Sequence, residues 1–475
     1  MTELTKKKIV GSVIWNALEK YSSQGIAFLV SIVMARLLTP SEYGILGIAS
    51  VFISFSNIFI NSGLSRALIC KKECSIDDYC TVNWINIGVS LLCYGILYVS
   101  APLISSFYQI PILKSALRVL TLSLIIGAVS GVSRTILSKE MKFKQMSFIT
   151  LATSLFSGII GIAMAYYGMG VWALIYQSVL SGLFSSIWIM WVSKFIPQLK
   201  FSVKSFKELF SFGAKILGSD IIWVIFNNIY PLIIGKKFNS QSVGYFTRAS
   251  SYSTLVPSNF SGVLENVLFS AFSKLQKDKE SLIRLYQKSI TISSFFVFTG
   301  NFFLLGLAYP LILNVISAKW LPCVPLLQIL CLSTLLEHIN SINGRLLMVL
   351  GYPGIFLKMA AVTQPINLMI ICISTFGGLI GLAWGSVVSS IIGVIYNCHL
   401  FKKVTQINPF NYLKESLKIL IISGGIGVGA MLSFDYWLSP SIVNLLVMAT
   451  VMFLLYIGCI KLMMPQFLIE IKNLK

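Results

Sequence analysis

Fourteen predominantly apolar stretches, each of about 20 residues, follow one another along this 475-residue chain. A backbone that crosses hydrocarbon has to satisfy its own N–H and C=O groups, and a helix of that length does so. The approximate spans are 12–35, 43–64, 81–104, 114–137, 146–167, 171–193, 213–235, 249–273, 288–313, 323–348, 357–376, 379–400, 415–434 and 441–463. Barrel strands are shorter and alternate in polarity, whereas these runs are continuous. The chain therefore reads as an all-α integral membrane protein of about 14 transmembrane helices, with no stretch left over for a soluble domain. Composition agrees. Charged residues are 11% and hydrophobic residues 56%, against about 25% charged in soluble domains. A water-soluble enzyme of this length is excluded.

The net charge of +21 comes from 37 Lys and Arg against 16 Asp and Glu. In a soluble protein such an excess points to nucleic acid. Here the charges sort by side. Of the 37, 29 fall in the ends and alternate loops, and seven in the others (Arg36, Lys114, Arg118, Lys236, Lys237, Arg248 and Lys319); Lys20 lies inside the first span. The positive-inside rule then places both termini in the cytoplasm. Topology and anionic headgroups account for the charge, with no nucleic-acid partner. Lys6-Lys7-Lys8 before an apolar run imitates a signal peptide, but Glu19-Lys20 interrupts that run, so it reads as a retained first span. The nine cysteines lack the spacing and His partners of a zinc site, and read as reduced thiols.

An internal repeat appears at an offset of 200 residues. Arg36 faces Lys236, Gly44 faces Gly244, Ala49 faces Ala249 and Ser50 faces Ser250. The hairpin from Tyr167 (YGMGVWAL) echoes the one from Phe376 (FGGLIGLAWG). The expected organisation is an N-terminal lobe at 1–193, a cytoplasmic interfacial linker at 194–212, a C-terminal lobe at 213–400, and two appended spans with a tail at 401–475. Phe201, Phe206, Leu209 and Phe210 among lysines suggest a short helix on the inner leaflet within the linker. Six spans per half give both halves the same orientation, an arrangement suited to rocking about a central cavity.

Polar residues recur inside the spans. Span one carries Asn16, Glu19, Lys20 and Ser23, and span two carries Ser50, Ser54, Asn57 and Asn61 at helical spacing. Span seven carries Asp220, Asn227 and Asn228; span eight carries Asn259, Glu265 and Asn266; span ten runs from Glu337-His338 to Arg345. Such groups either hydrogen-bond between helices or face a wet cavity, since an ionised side chain in hydrocarbon is costly. The cavity reading makes Asn16, Lys20, Asn57, Asn61, Arg66, Lys215, Asn227, Asn259 and Arg345 the candidate substrate contacts. Glu19, Asp220, Glu265, Glu337 and His338 are then the candidates for a coupling H⁺ or Na⁺. His338 suits either a proton relay or a packed, hydrogen-bonded position. No catalytic residue, metal or other cofactor is expected. Two apparent motifs are set aside: Gly424–Gly429 reads as close helix packing, and Asp77-Asp78 as a solvated turn.

The segment Ala35-Arg36-Leu37-Leu38-Thr39-Pro40-Ser41-Glu42-Tyr43-Gly44 resembles the ARLLTPxDYG signature of bacterial polysaccharide-export flippases. Gly63–Ile69 (GLSRALI), Tyr167–Leu174 and Val267–Gln276 (VLFSAFSKLQ) resemble three further segments of that family, with Ser270 where it usually has proline. The resemblance implies the fold of the multidrug/oligosaccharidyl-lipid/polysaccharide superfamily in a bacterial cytoplasmic membrane. It also implies flipping of an undecaprenyl-diphosphate-linked oligosaccharide by alternating access, coupled to a cation gradient. Membrane lipid is the surrounding partner, and a polysaccharide polymerase with its chain-length machinery is an implied one. Related lipid flippases place arginines deep in the N-terminal lobe; this chain offers Lys20, Arg36 and Arg118 instead. The alternatives are a multidrug or cation antiporter of the same fold and, more remotely, an integral-membrane polymerase or glycosyltransferase, for which no outer loop is long enough.

Overall fold

The structure is a computed structural model. It describes residues 24–61, 63–71 and 73–463, apart from the side chains of 61, 211–216, 218–220, 222, 223, 227, 260–267, 270, 353, 356, 357, 413, 414 and 463. Every regular element among the described residues is helical. The chain forms two compact units, 1–244 and 245–475.

The first unit contains α1 (Gln24–Leu37), α2 (Pro40–Asn61), α3 (Leu64–Cys70), α4 (Ile76–Tyr108), α5 (Ile112–Leu120), α6 (Leu122–Lys139), α7 (Phe143–Tyr166), α8 (Val171–Ser193), α9 (Val203–Asn227) and α10 (Ile229–Lys237). Local chemistry sets the ends. Thr39 and Glu42 cap α2: the Thr39 N–H and hydroxyl donate to Glu42 Oε2 at 2.6 and 2.9 Å. Ser75 and Asp78 form a reciprocal capping box at the start of α4. The Asp77-Asp78 pair is thus no solvated turn: Asp78 is buried and bonded. Gly168 (φ 78°) and Gly170 (φ 57°) reverse the chain between α7 and α8 in conformations that glycine adopts without a Cβ penalty. Leu64, Leu68, Val82, Val132 and Leu209 pack α3, α4, α6 and α9 together. Leu91, Leu92, Ile96, Val99 and Leu103 on α4 are exposed, as lipid-facing residues are.

The linker behaves differently from a separate interfacial helix. Residues 194–202 are irregular and lie along α4: Trp84 Nε1 donates to the Gln198 carbonyl at 2.8 Å, and the Ser202 N–H to Thr81 Oγ1 at 3.0 Å. The helix that starts at Val203 continues as α9 to Asn227.

The helix α11 (Ser240–Ser253) runs from the end of the first unit into the second. The second unit continues with α12 (Leu255–Leu275), α13 (Lys279–Gly306), α14 (Ala308–Leu311), α15 (Cys323–Ser333), α16 (Glu337–Val349), α17 (Pro353–Ser374), α18 (Gly378–Thr405), α19 (Pro409–Tyr436) and α20 (Ile442–Met463). Leu268, Phe272, Tyr286, Leu346, Leu347 and Phe401 form its largest core cluster. The helices α13 and α19 lie side by side at glycines. A Cβ on Gly427 would stand 2.5 Å from the Phe302 carbonyl oxygen, and one on Gly306 would stand 2.6 Å from that of Gly427. The glycine run is therefore a close-packed helix seam.

Ten helical segments among the described residues are long and apolar enough to cross a membrane. One of them, Lys358–Thr405, has 48 residues, about 72 Å if straight against about 30 Å of hydrocarbon. It reverses at Gly378 (φ 72°), so α17 and α18 pack against each other as two crossings. With α1, the broken pair α9/α10 and the broken pair α11/α12, the described residues form an all-α integral membrane fold of about fourteen crossings.

Candidate substrate and ion surfaces

On α2, Ser50, Ser54 and Asn57 form a polar face at i, i+4 and i+7. Ser50 and Asn57 are exposed, and Ser54 is half-buried. The two serine hydroxyls donate back to the helix, to Leu46 and Ser50 carbonyls at 2.7 and 2.9 Å. Asn57 carries an open amide on the same face. Just beyond the end of α2, Arg66 is exposed on the short helix α3. Lys139 fixes that helix by donating to the Leu68 and Lys71 carbonyls at 3.1 and 2.6 Å, two of the acceptors a helix C-terminus leaves open. Lys71 bridges Asp78 and Glu208, each at 3.1 Å, and so ties the loop before α4 to α9. Partial burial opposes the charge on Lys71, but its bonds to Asp78 and Glu208 outweigh that and hold its pKa above the ordinary lysine value.

In the second unit the tenth crossing is broken. Residues Thr334–Leu336 separate α15 from α16 in the middle of the segment Cys323–Val349. Asn301 on α13 donates to the Cys331 carbonyl at 3.2 Å and to Thr334 Oγ1 at 2.9 Å. Thr334 Oγ1 in turn lies 3.3 Å from the Ser253 carbonyl, the acceptor that Pro257, lacking an N–H, leaves open four residues later. The break in span ten and the break between α11 and α12 thus satisfy each other.

Glu337 starts α16 at that break, in the first turn where the helix dipole favours an acid. Its side chain is exposed although His338 and Ile339 beside it are buried. Glu337, Ser341 and Arg345 share one face at i, i+4 and i+8. His338 points the other way. It is buried, 2.9 Å from Ser294 Oγ and edge-on to Phe298, and Ser294 donates onward to Ser416 at 3.0 Å. That chain joins α13, α16 and α19. Asn343 accepts from Tyr286 at 2.6 Å, and Asn397 donates to Asn340 at 3.1 Å. On α12, Asn259 is half-buried and donates to Leu255 O at 2.8 Å.

Of the residues singled out from sequence, Asn57 and Arg66 lie on exposed surfaces of the first unit; Asn259, Glu337, His338 and Arg345 lie in the second. Asn16, Glu19 and Lys20 lie outside the described residues, as do the side chains of Asn61, Lys215, Asp220, Asn227 and Glu265. Sequence reasoning missed a buried polar seam between α4, α6 and α8. Asn83 and Asn86 are buried with amide atoms unpartnered, and Ser130 meets Ser186 at 2.8 Å. In an apolar span only their polarity marks them, and nothing local says which face is turned inward.

Paired, internally broken helices with polar residues at the breaks define a multi-span membrane protein of transporter architecture. The particular family follows from comparison. A family model described as polysaccharide biosynthesis protein matches residues 33–325, more than half the chain, and the chain belongs to that family. It is 24% identical over 442 residues to the teichuronic acid biosynthesis protein TuaB of Bacillus subtilis (strain 168), covering 91% of this chain and 90% of that one. Its fold matches that of the lipid II flippase MurJ in an inward closed conformation, with a TM-score of 0.74 at 18% identity over 98% of this chain and 100% of that one. An inward-facing multidrug resistance transporter of the MATE family matches with a TM-score of 0.61 at 16% identity over 81% and 96%.

Proposed function

We propose that this protein flips a prenyl-diphosphate-linked oligosaccharide from the cytoplasmic to the outer leaflet during surface polysaccharide synthesis. The fold is shared with a drug transporter, so fold alone does not select the cargo; membership of the polysaccharide family supports the glycan. The observation that carries the transport reading is the Glu337–Ser341–Arg345 face beside a helix break in mid-span. Charged groups there call for water or a polar cargo. The open amide of Asn57 and the serines beside it suit sugar hydroxyls, and the exposed Arg66 suits a diphosphate. Both termini and the lysine-rich loops lie in the cytoplasm in this reading, beside the leaflet where the cargo is made.

A cation gradient drives the cycle in the same reading, with Asp220, Glu265, Glu19 or Glu337 taking H⁺ or Na⁺. The test is a leaflet assay in proteoliposomes with fluorescent lipid-linked oligosaccharide and an imposed ion gradient. Protein-dependent access of the label to an external quencher supports flipping. Absence of any protein-dependent movement, with drug efflux in the same vesicles, overturns it in favour of the antiporter. Asp220→Ala and Glu265→Ala should remove the gradient response at unchanged protein level; a normal response in both removes those two from the coupling assignment.

A further inference from the structure

Arg118 is one of the seven cations on the side opposite the lysine-rich loops, and its place follows from a proline. Pro102 lies inside α4 and has no N–H to give, so the Tyr98 carbonyl four residues earlier lacks a partner within its own helix. Arg118 on α5 supplies one. Its Nε donates to the Tyr98 oxygen at 3.3 Å, and the guanidinium stands over the Tyr98 ring, 4.0 Å from its centroid. That uses one of five N–H groups. The four on the terminal nitrogens meet no acceptor among the described residues. The helices around Arg118 hold no counter-charge for it: α5, α6, α8 and α4 beyond Asp78 contain no Asp or Glu, and the one acid of α2, Glu42, caps its own helix through Thr39. Lys114, one turn before Arg118 on the same face of α5, is exposed and adds a second cation.

We propose that Arg118 and Lys114 hold the phosphate of an anionic phospholipid in the leaflet opposite the lysine-rich loops, with an acyl chain laid along α4. Depth fits a headgroup. The crossing Ile112–Lys139 has 28 residues, about 42 Å against about 30 Å of hydrocarbon. Arg118 is about 9 Å from its Ile112 end, close to the hydrocarbon boundary, where a long basic side chain reaches the phosphates. The surface below fits a chain. Gly88, Leu91, Gly95 and Tyr98 share one face of α4 at i, i+3, i+7 and i+10. A Cβ on Gly88 or Gly95 would meet nothing within 4 Å, so the helix backbone there is bare. Leu91 and, on α6, Leu122 are exposed on this surface, and Tyr98 is 41% exposed. The site is thus a cationic head, an aromatic wall and an apolar slot, in that order down the membrane. Tyr98 fixes the guanidinium from one side, which leaves the planar fork turned outward for the two oxygens of a phosphate. All of these residues belong to the first unit, and the site does not depend on what the protein transports.

The test uses the full chain in phosphatidylcholine nanodiscs carrying a small fraction of phosphatidylglycerol with a photoreactive diazirine on its headgroup. After irradiation and digestion, labelled peptides are quantified by mass spectrometry, with labelling at the lysine-rich loops as the internal reference. The expected result is labelling of residues 91–122 well above that given by phosphatidylcholine with the same diazirine. Lys114→Gln should lower it about fivefold, the share of one basic residue at an anionic surface. Arg118→Gln should lower it about tenfold or more, the share of charge-assisted hydrogen bonds. Labelling at the reference loops should stay unchanged in both. If Arg118→Gln fails to reach the membrane, Lys114→Gln, which leaves the contacts of Arg118 with Tyr98 intact, decides alone. Equal labelling of residues 91–122 by the two lipids overturns the inference, as does labelling there that neither substitution lowers. Suppression of the label by prenyl diphosphate at a tenth of the phosphatidylglycerol concentration also overturns it, and assigns the two cations to a diphosphate cargo instead.

Discussion

Glu337 offers a sharp energetic test of where the polar face of α16 points. The residue sits near the middle of a 27-residue crossing, and Arg345 is two turns further along the same face. Eight residues of helix separate them by about 12 Å. At that distance their attraction is about 1.4 kcal/mol at an effective dielectric constant near 20, and less in water. An ionised Glu337 set at the centre of the hydrocarbon costs about 3 kcal/mol on insertion scales, and Arg345, near the end of the crossing, less. Their mutual attraction alone is smaller than that cost, so an ionised Glu337 calls for water, a polar cargo or further protein partners on this face. Glu337→Leu discriminates. On a hydrated face the substitution should leave unfolding free energy within about 1 kcal/mol of wild type while removing transport. On a lipid-facing surface it should stabilise by about 3 kcal/mol and leave transport intact. Steric-trap unfolding in nanodiscs measures the first quantity and the leaflet assay the second. Glu337→Cys should also react with a membrane-impermeant maleimide, whereas Ile339→Cys, fully buried, should not. A more stable, fully active Glu337→Leu protein would refute the hydrated face.

Tyr286→Phe keeps the stacking on Phe401 (interplanar angle 13°) but leaves Asn343 Oδ1, in a residue 1% exposed, without its donor; the expected loss is about 1–3 kcal/mol in unfolding experiments. Glu208→Gln cuts the link from Lys71 in the α3–α4 loop to α9, a half-exposed pair worth up to about 1 kcal/mol, while leaving Lys71 on the buried Asp78, and should raise proteolysis at residues 194–202 with little change in overall stability. Since the folded-state pKa of Lys71 is raised, its contribution is complete below the ordinary lysine value and is lost only as pH rises through the folded one; a proteolysis profile that changes with pH near neutrality through this residue would contradict the assignment. Asn83→Leu removes a buried amide unpartnered at both atoms and should be neutral or stabilising by about 1–3 kcal/mol; marked destabilisation would show that the amide holds a bound water or ion.

Sequence reasoning reached the fourteen crossings because hydrocarbon imposes the same length on each. It reached the reversal between α17 and α18 because Gly377-Gly378 interrupts an apolar run too long for one passage. The repeat was legible in residues 35–50 and 235–250, but that Gly44 and Gly244 touch is a tertiary fact. The start of α4 was misread from its acidic pair taken alone, although Ser75-Ile76-Asp77-Asp78 carries the spacing of a capping box. The linker looked interfacial from its Phe and Lys content; nothing between Val203 and Asn227 stops a helix, and the structure continues through it. Least legible was the break at Thr334–Leu336. It has no glycine or proline; what meets it is Asn301 of another helix, whose amide donates to the Thr334 hydroxyl and to the Cys331 carbonyl, the acceptor that the Leu335 N–H would take in an unbroken helix. A signal supplied by another helix leaves no trace in the local pattern.

That break connects fold to function. In hydrocarbon, a freed backbone group is tolerated only where protein or water takes it up. Span seven breaks at Asn228, whose side chain turns back to the Val224 carbonyl at 2.9 Å, with Pro231 just beyond. The helices α11 and α12 part at Thr254, ahead of Pro257, and span ten parts at Thr334. The same three crossings carry Asp220, Glu265, Glu337 and Arg345. By contrast α4, α18 and α20 run unbroken and turn large apolar side chains outward. Breaks and charges both raise the demand for hydration, and the chain concentrates both in the same few helices. A scaffold would gain nothing by that; it would bear the cost of each freed carbonyl and each charged residue placed in a span with no return. A protein that must bring water and a polar cargo into the membrane needs that concentration, and needs its remaining helices to hold the boundary against lipid.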